Sequence, residues 1–439
     1  MDHPFACPQG VAHDVVNGWE VMEPWLGRAQ QPVEPGSEDH YSNLYRSGQL
    51  LVSKADEDDV RNALGNRART DHEPDDHTTE CLDALGLARV RVEEPRDDFE
   101  PPLPALVEQL QQDHGLRVRP NQVLVSAFHV HVGPATPPRP AGPREFPDVP
   151  AISTAFAAGN TVKVLVLDTG LADDDVVRNQ ILQRRCHGDP KSAELSSPLP
   201  RSVGHGTFIA GLICRHTNNT MVEVRDVVDE CGFIDDTALA CQLANVSPEV
   251  DLLNLSFGGY GLGGEMVATV RQLKALAFRN PKLVIVAAAG NDGRDRPFLP
   301  AALPNVIGVG AVERREDGSF QRACFSNHGP WVDACAKGVD VVSAFLAFNG
   351  ELAAVEPPPS CQEPGTTLTD APSPVSFDRR ARWSGTSFAA PLVTAAIAQR
   401  MTTGNRSARE AADDLLFNPE LPRRRVPGLG VLVEPRALP

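Results

Sequence analysis

Ser384-Gly385-Thr386-Ser387-Phe388-Ala389-Ala390-Pro391 is the stretch of this 439-residue chain whose reading decides the fold. It sets a serine hydroxyl among small residues at the start of an apolar helix. There the first N–H groups lack intrahelical partners and the helix dipole is positive, so an oxyanion beside Ser387 is stabilised. A serine nucleophile needs a base and an orienting acid. Upstream, Val164-Leu165-Val166-Leu167 reads as a buried strand ending in Asp168-Thr169-Gly170. Gly204-His205-Gly206-Thr207 opens the helical run Phe208-Ile209-Ala210-Gly211-Leu212-Ile213. The candidates therefore run in the order Asp, His, Ser.

That is the subtilisin order, distinct from the chymotrypsin and α/β-hydrolase orders. The three motifs, with Asn254-Leu255-Ser256-Phe257-Gly258-Gly259 and Ala287-Ala288-Ala289-Gly290-Asn291, resemble the subtilisin-like serine protease (subtilase) family over roughly residues 150–415. Five motifs in the family's order are specific where one Gly-Thr-Ser is not. The resemblance implies an α/β fold, a three-layer sandwich around a mostly parallel sheet. It also implies a serine-type endopeptidase acting through an acyl-enzyme on Ser387. His205 is then the general base that takes the Ser387 proton and returns it to the leaving amine, and Asp168 orients the imidazole. Asn291 matches the family's oxyanion residue; losing such a donor costs about 3 to 4 kcal/mol, a figure measured in subtilisin itself.

The residues alone lead to a similar place. Val250–Leu255, Leu283–Ala289 and Val306–Val312 are apolar runs with little alternation, separated by helical patterns such as Glu265–Phe278, as in a parallel sheet covered on both faces. Asp168, Ser256 and Asn291 each stand where such a run ends, and ligands of open α/β sheets bind at the carboxyl ends of strands. Each residue has an ordinary structural explanation taken singly: an aspartate after a strand forms turns, and a serine before a helix caps it. Order and context together favour chemistry. The rival, from a different class, is a catalytically silent peptide-binding or scaffold protein that keeps the fold.

By resemblance, Ser256-Phe257-Gly258 forms the edge that pairs with substrate as an added strand. Phe257 stands where the family often has a smaller aliphatic residue, which narrows the neighbouring subsite. Asp292 reads equally well as an acid at the rim of the primary pocket or as a solvated loop acid beside Arg294 and Arg296.

The net charge of −17, from 58 acids and 41 bases, argues against nucleic acid or an anionic membrane as partner and leaves a peptide or protein substrate. No cofactor is required for the chemistry. Family members often carry calcium, but no residue here is assigned to it. Met1–Leu50 shows no signal-peptide pattern and no run approaches 18 apolar residues, so a cytoplasmic protein with a restricted target is expected. Nine cysteines include Cys214 and Cys241 in helical patterns, as packed thiols, and Cys335 and Cys361, a pair that an oxidising compartment would allow.

Along the chain, residues 1–40 read as irregular and 41–132 as a small α+β domain, with strands at Gln49–Val52, Ala88–Val92 and Gln122–Val125 and helices at Asp56–Leu64 and Leu103–His114. This order is similar to the inhibitory prodomain of subtilases, or belongs to an unrelated module of that size. Residues 133–150, with seven prolines from Pro134 to Pro150, read as an extended linker. The catalytic domain follows at 151–418, interrupted by a loop insertion at 349–382, and 419–439 is an irregular tail. If the prodomain likeness holds, Phe128–Val132 approaches Ser387 along the Ser256–Gly258 edge.

Overall fold

The computed structural model describes residues 15–16, 43–69, 76–93, 103–126, 136–151, 161–191, 199, 203–228, 233–260, 266–352, 373–418 and 424–436. The chain divides into two compact units. The first comprises Met1–Leu124, Phe233–Val246 and Gly259–Arg279, and the second comprises Val125–Gly232, Ser247–Gly258 and Asn280–Pro439.

The first unit runs β1 (Asn43–Ser53), α1 (Glu57–Leu64), β2 (Ala68–Arg69), α2 (Asp76–Ala84), β3 (Leu87–Val92), α3 (Leu103–His114) and into β4 (Val118–Ser126). Its strands pair antiparallel in the order β4-β1-β3-β2. Alternation along β3 turns Val90 and Val92 inward and leaves Arg91 exposed. Val60 and Leu64, one turn apart on α1, join Leu50, Val52, Leu106 and Leu110 in the same core. The sequence pattern does not announce α2, because Leu82 is its only buried residue among those described, too little for an apolar stripe.

Two later helices, Asp236–Ala244 and Val267–Arg279, belong to this unit, and their Ala240 and Ala268 pack with Leu51, Leu82 and Leu87. Its buried acids cap them. Asp235, the N-cap of the first, accepts from Ala238 N at 3.0 Å and pairs with Arg46 at 3.1 Å. Asp236 accepts from Ala268 N at 2.9 Å and Thr269 N at 2.8 Å, at the start of the second.

The second unit holds β5 (Thr136–Pro140), β6 (Val162–Asp168), β7 (Cys186–Gly188), α4 (His205–Arg215), β8 (Thr220–Asp226), β9 (Leu252–Leu255), β10 (Phe257–Gly258), β11 (Val284–Ala288), β12 (Val306–Arg314), β13 (Ala334–Lys337), β14 (Val341–Leu352), β15 (Ser373–Ser384), α5 (Thr386–Gly404), α6 (Ala408–Phe417) and β16 (Gly430–Leu432). Its central sheet is parallel along the path β16-β13-β12-β11-β9-β6-β8-β7. Every residue of β9 and β11 is buried, which is why these strands read as continuous apolar runs. Phe388, Val393 and Ile397 of α5 share one core with Val286 and Val309 of the sheet. This is the α/β architecture expected.

Three stretches depart from their expected loops. Asn349–Arg382 contributes the ends of a long antiparallel hairpin, with β14 and β15 paired from Val341 opposite Trp383 to Leu352 opposite Ser373. Residues 133–150 contribute β5, which pairs with β15, and Arg380 Nε donates to Phe146 O at 2.6 Å while Phe146 and Val149 are buried. The prolines of β5 are tolerated because it is an edge strand. In the tail, β16 joins the parallel sheet beside β13. Residues 1–14 and 17–40, Phe128–Val132 and Cys361 lie outside the described residues.

Cys214 and Cys241 are buried and in no disulfide. Cys335 is also in no disulfide, so the pairing with Cys361 that an oxidising compartment would allow does not form, and burial pushes its thiol up to about 12. Cys324 is disulfide-bonded instead. Arg185 is wholly buried; it donates to the carbonyls of Pro150, Cys214, Thr217 and Thr220 and to the hydroxyls of Thr217 and Thr220.

Candidate active site

Asp168 ends β6, and its Oδ1 accepts from Thr169 N at 2.9 Å and lies 2.8 Å from His205 Nδ1. An ionised carboxylate only accepts, so Nδ1 carries the proton and Nε2 is left as the basic atom. His205 opens α4, whose start is pressed against the Asp168 turn. Gly206 N donates to Thr169 Oγ1 at 3.0 Å, and a Cβ on Gly206 would stand 2.5 Å from Gly170 O, so no larger residue fits there. The imidazole is flanked by Trp383 and Phe388, with ring centroids 5.5 and 5.4 Å away.

Ser387 lies in the first turn of α5, tied to the end of β9 by a relay of side chains. Thr394 Oγ1 donates to Asn254 Oδ1 at 3.0 Å, Asn254 Nδ2 to Ser256 Oγ at 3.0 Å, and Ser256 Oγ to Ser387 O at 3.1 Å. The Ser387 hydroxyl donates to Ser256 O over a long 3.4 Å. Asn291 Oδ1 accepts from both Thr386 N and Thr386 Oγ1 at 2.8 Å. Because a backbone N–H can only donate, this fixes the amide's orientation, with Oδ1 on Thr386 and Nδ2 as the donor. Asp168, His205, Ser256, Asn291 and Ser387 are each 0 % exposed, so the electrostatics act with water excluded.

The structure thus brings Asp168 together with His205, and Asn291 and Ser256 together with the Ser387 turn. Phe257 is fully buried, and Phe257 and Gly258 pair antiparallel with Ser126 and Val125, so the edge expected to receive substrate carries a segment of the chain itself. Asp292 is 8 % exposed and its N–H donates to Asn327 Oδ1, which overturns the solvated-loop reading. Thr386 and Asn254 stand in the quoted motifs without a role of their own, and Trp383 carries no motif; its place just before Ser384 is the one signal the sequence offers for it. Among the described residues no group of three or more His, Cys, Asp or Glu is placed to hold a metal ion. No helix among them is long and apolar enough to cross a membrane.

Residues 159–419, more than half of the chain, match the Subtilase family, Peptidase_S8. The chain is 36 % identical over 151 residues to the thermophilic serine proteinase of Bacillus sp. strain AK1, covering 32 % of this chain and 35 % of that protein. It is 32 % identical over 204 residues to a cuticle-degrading serine protease of Arthrobotrys oligospora, covering 45 % and 47 %. The match thus spans a third to a half of the length of these curated relatives. The crystal structure of fervidolysin from Fervidobacterium pennivorans, described as a keratinolytic enzyme related to subtilisin, aligns over 98 % of this chain and 63 % of its own, with a TM-score of 0.54 and 17 % identity, a likeness of fold. An acid, a base and a serine in this order, borne on this sheet and matched over these residues, have one home: the chain belongs to the subtilase family.

Proposed function

We propose that this chain is a serine endopeptidase acting on a restricted protein or peptide substrate. Ser387 Oγ attacks the scissile carbonyl while His205 Nε2 takes its proton, and Asp168 stabilises the imidazolium. Asn291 Nδ2 and the Ser387 N–H donate to the oxyanion. His205 then protonates the leaving amine, and water repeats the sequence to free the acid. The observation that carries this reading is the buried Asp168–His205 pair, held at 2.8 Å between Oδ1 and Nδ1, with the amide of Asn291 anchored through its oxygen on Thr386, the residue before Ser387. A fluorophosphonate probe tests it: labelling of the wild type and not of Ser387→Ala is expected, whereas a silent scaffold would label in neither.

A second reading concerns the N-terminal region as an inhibitory, cleavable domain. It is supported by the pairing of Val125 and Ser126 on the Phe257–Gly258 edge, where a substrate strand would have to bind. The wild type is then expected to cut itself and Ser387→Ala to stay whole. Mass spectrometry of both decides, and an intact, fully active wild type would sink this reading alone. For the compartment, the Cys324 disulfide favours an oxidising environment over the expected cytoplasm; thiol counting on the native protein checks it.

A further inference from the structure

Beyond their last residues, β9 and β11 continue as Ser256–Gly258 and Ala289–Asn291. The first holds the Ser387 carbonyl through Ser256 and the second carries the oxyanion amide. An acyl group on Ser387 has its carbonyl oxygen at Asn291 and its backbone along the 256–258 edge. The gap between the two segments then lies beneath the Cα of the residue being attacked, and its depth limits that residue's side chain.

The gap is filled. Phe298 is 1 % exposed, and one edge of its ring reaches both walls. A Cβ built on Gly258 would collide with Phe298 Cε1 and stand 2.8 Å from Cδ1; a Cβ on Gly290 would stand 3.1 Å from both Cδ1 and Cγ. The ring therefore abuts bare Cα atoms on either side, and the two glycines are what admit it. Gly290 also adopts φ +93, which disfavours any larger residue independently.

We infer that Phe298 occupies the first side-chain pocket and restricts the residue on the acyl side of the cut bond to glycine, alanine or serine. This rests on the serine endopeptidase reading and names the substrate class of that site. A leucine or phenylalanine side chain needs the volume the ring already holds, and a close-packed interior does not yield it without strain.

The test is kcat/KM of the full-length chain on a peptide series that differs only in that residue: Ala, Ser, Leu and Phe. The wild type is expected to prefer Ala to Phe by about a hundredfold or more, the upper range of pocket discrimination. In Phe298→Ala the Phe-to-Ala ratio should rise at least about tenfold, with Phe298→Leu as the milder variant should the first not fold. A wild type that cuts after Phe as well as after Ala, with turnover abolished by Ser387→Ala, overturns the pocket assignment and leaves the peptidase standing. No turnover of any substrate together with no fluorophosphonate labelling overturns both.

Discussion

The two compact units both bury polar side chains, and they use them for different ends. In the first, Asp235 and Asp236 direct their oxygens at backbone N–H groups of helix starts, and Asn121 braces Gln49 and Thr237. In the second, Asp168 meets His205, and the relay from Thr394 through Asn254 and Ser256 ends on the backbone of Ser387. Burial and hydrogen bonding of a polar group therefore do not mark chemistry by themselves. What separates the units is where the bonds lead: to helix termini in one, to the Ser387 turn in the other.

The contrast is broken most directly at Ser387. Ser387→Ala should lower turnover about a millionfold, the scale known from subtilisin, while thermal stability stays within about 1 kcal/mol, since among the described residues its hydroxyl makes only the 3.4 Å contact. A large fall in melting temperature would mean the hydroxyl is structural after all. Asn291→Ala sharpens the comparison, because Asn291 serves both ends. Its kcat should fall about 10²- to 10³-fold with KM little changed, and stability should fall about 1 to 3 kcal/mol, because the buried Thr386 N–H loses its acceptor. Equal kcat with raised KM would assign Asn291 to ground-state binding.

The smallest effect is expected in the first unit. Burial, the largest influence on Asp236, raises its carboxyl from 3.8 to about 6 against the hydrogen bonds it accepts. The folded chain holds this proton more tightly than the unfolded one, so the stabilisation is complete below about pH 4 and is lost as pH rises through about 6. The difference, 6 − 3.8, corresponds to roughly 3 kcal/mol at most. Asp236→Ala should therefore destabilise more at pH 4 than at pH 7 in urea unfolding, with kcat unaltered. The reverse order would mean the carboxylate is the form that fits.

Self-processing bears on the boundary between sequence and structure. A linker open from 133 to 150 would be cut anywhere along it. With β5 paired to β15 and Phe146 and Val149 buried, the stretch 136–150 is held at several points, which leaves residues 127–135, next in sequence to the paired Ser126, as the candidates. Of these Ala127, next in sequence to the paired Ser126, suits a pocket shortened by Phe298. A new N-terminus at Phe128 is the expected outcome of sequencing the processed chain, and one within 141–150 would contradict it.

The meeting of Asp168 with His205, and of Asn291 with the Ser387 turn, was legible because Asp168 and Asn291 follow apolar strands while His205 and Ser387 open apolar helices. The parallel sheet was legible for the same reason, since strands buried on both faces have no polar interruptions. Other features were hidden for identifiable causes. β5 is disguised by three prolines that only an edge position permits. The hairpin β14–β15 passes for a loop because the segment between its strands is rich in proline. Phe298 and Trp383 are single aromatics with no motif of their own; their importance lies in whom they touch.

Arg185 ties the chain at Pro150, at the end of α4 and at the start of β8 into one knot, with its guanidinium in contact with carbonyls and hydroxyls. Undoing that corner exposes several orphaned carbonyls at once together with a buried cation, so it opens rarely. On the endopeptidase reading proposed above, longevity among copies of the same chain becomes a matter of attrition: each transient opening would offer a strand to a neighbour's blade. Amides around Thr217 and Thr220 should accordingly be among the last to exchange with deuterium. The knot then governs how long a molecule survives its own kind rather than how fast it works.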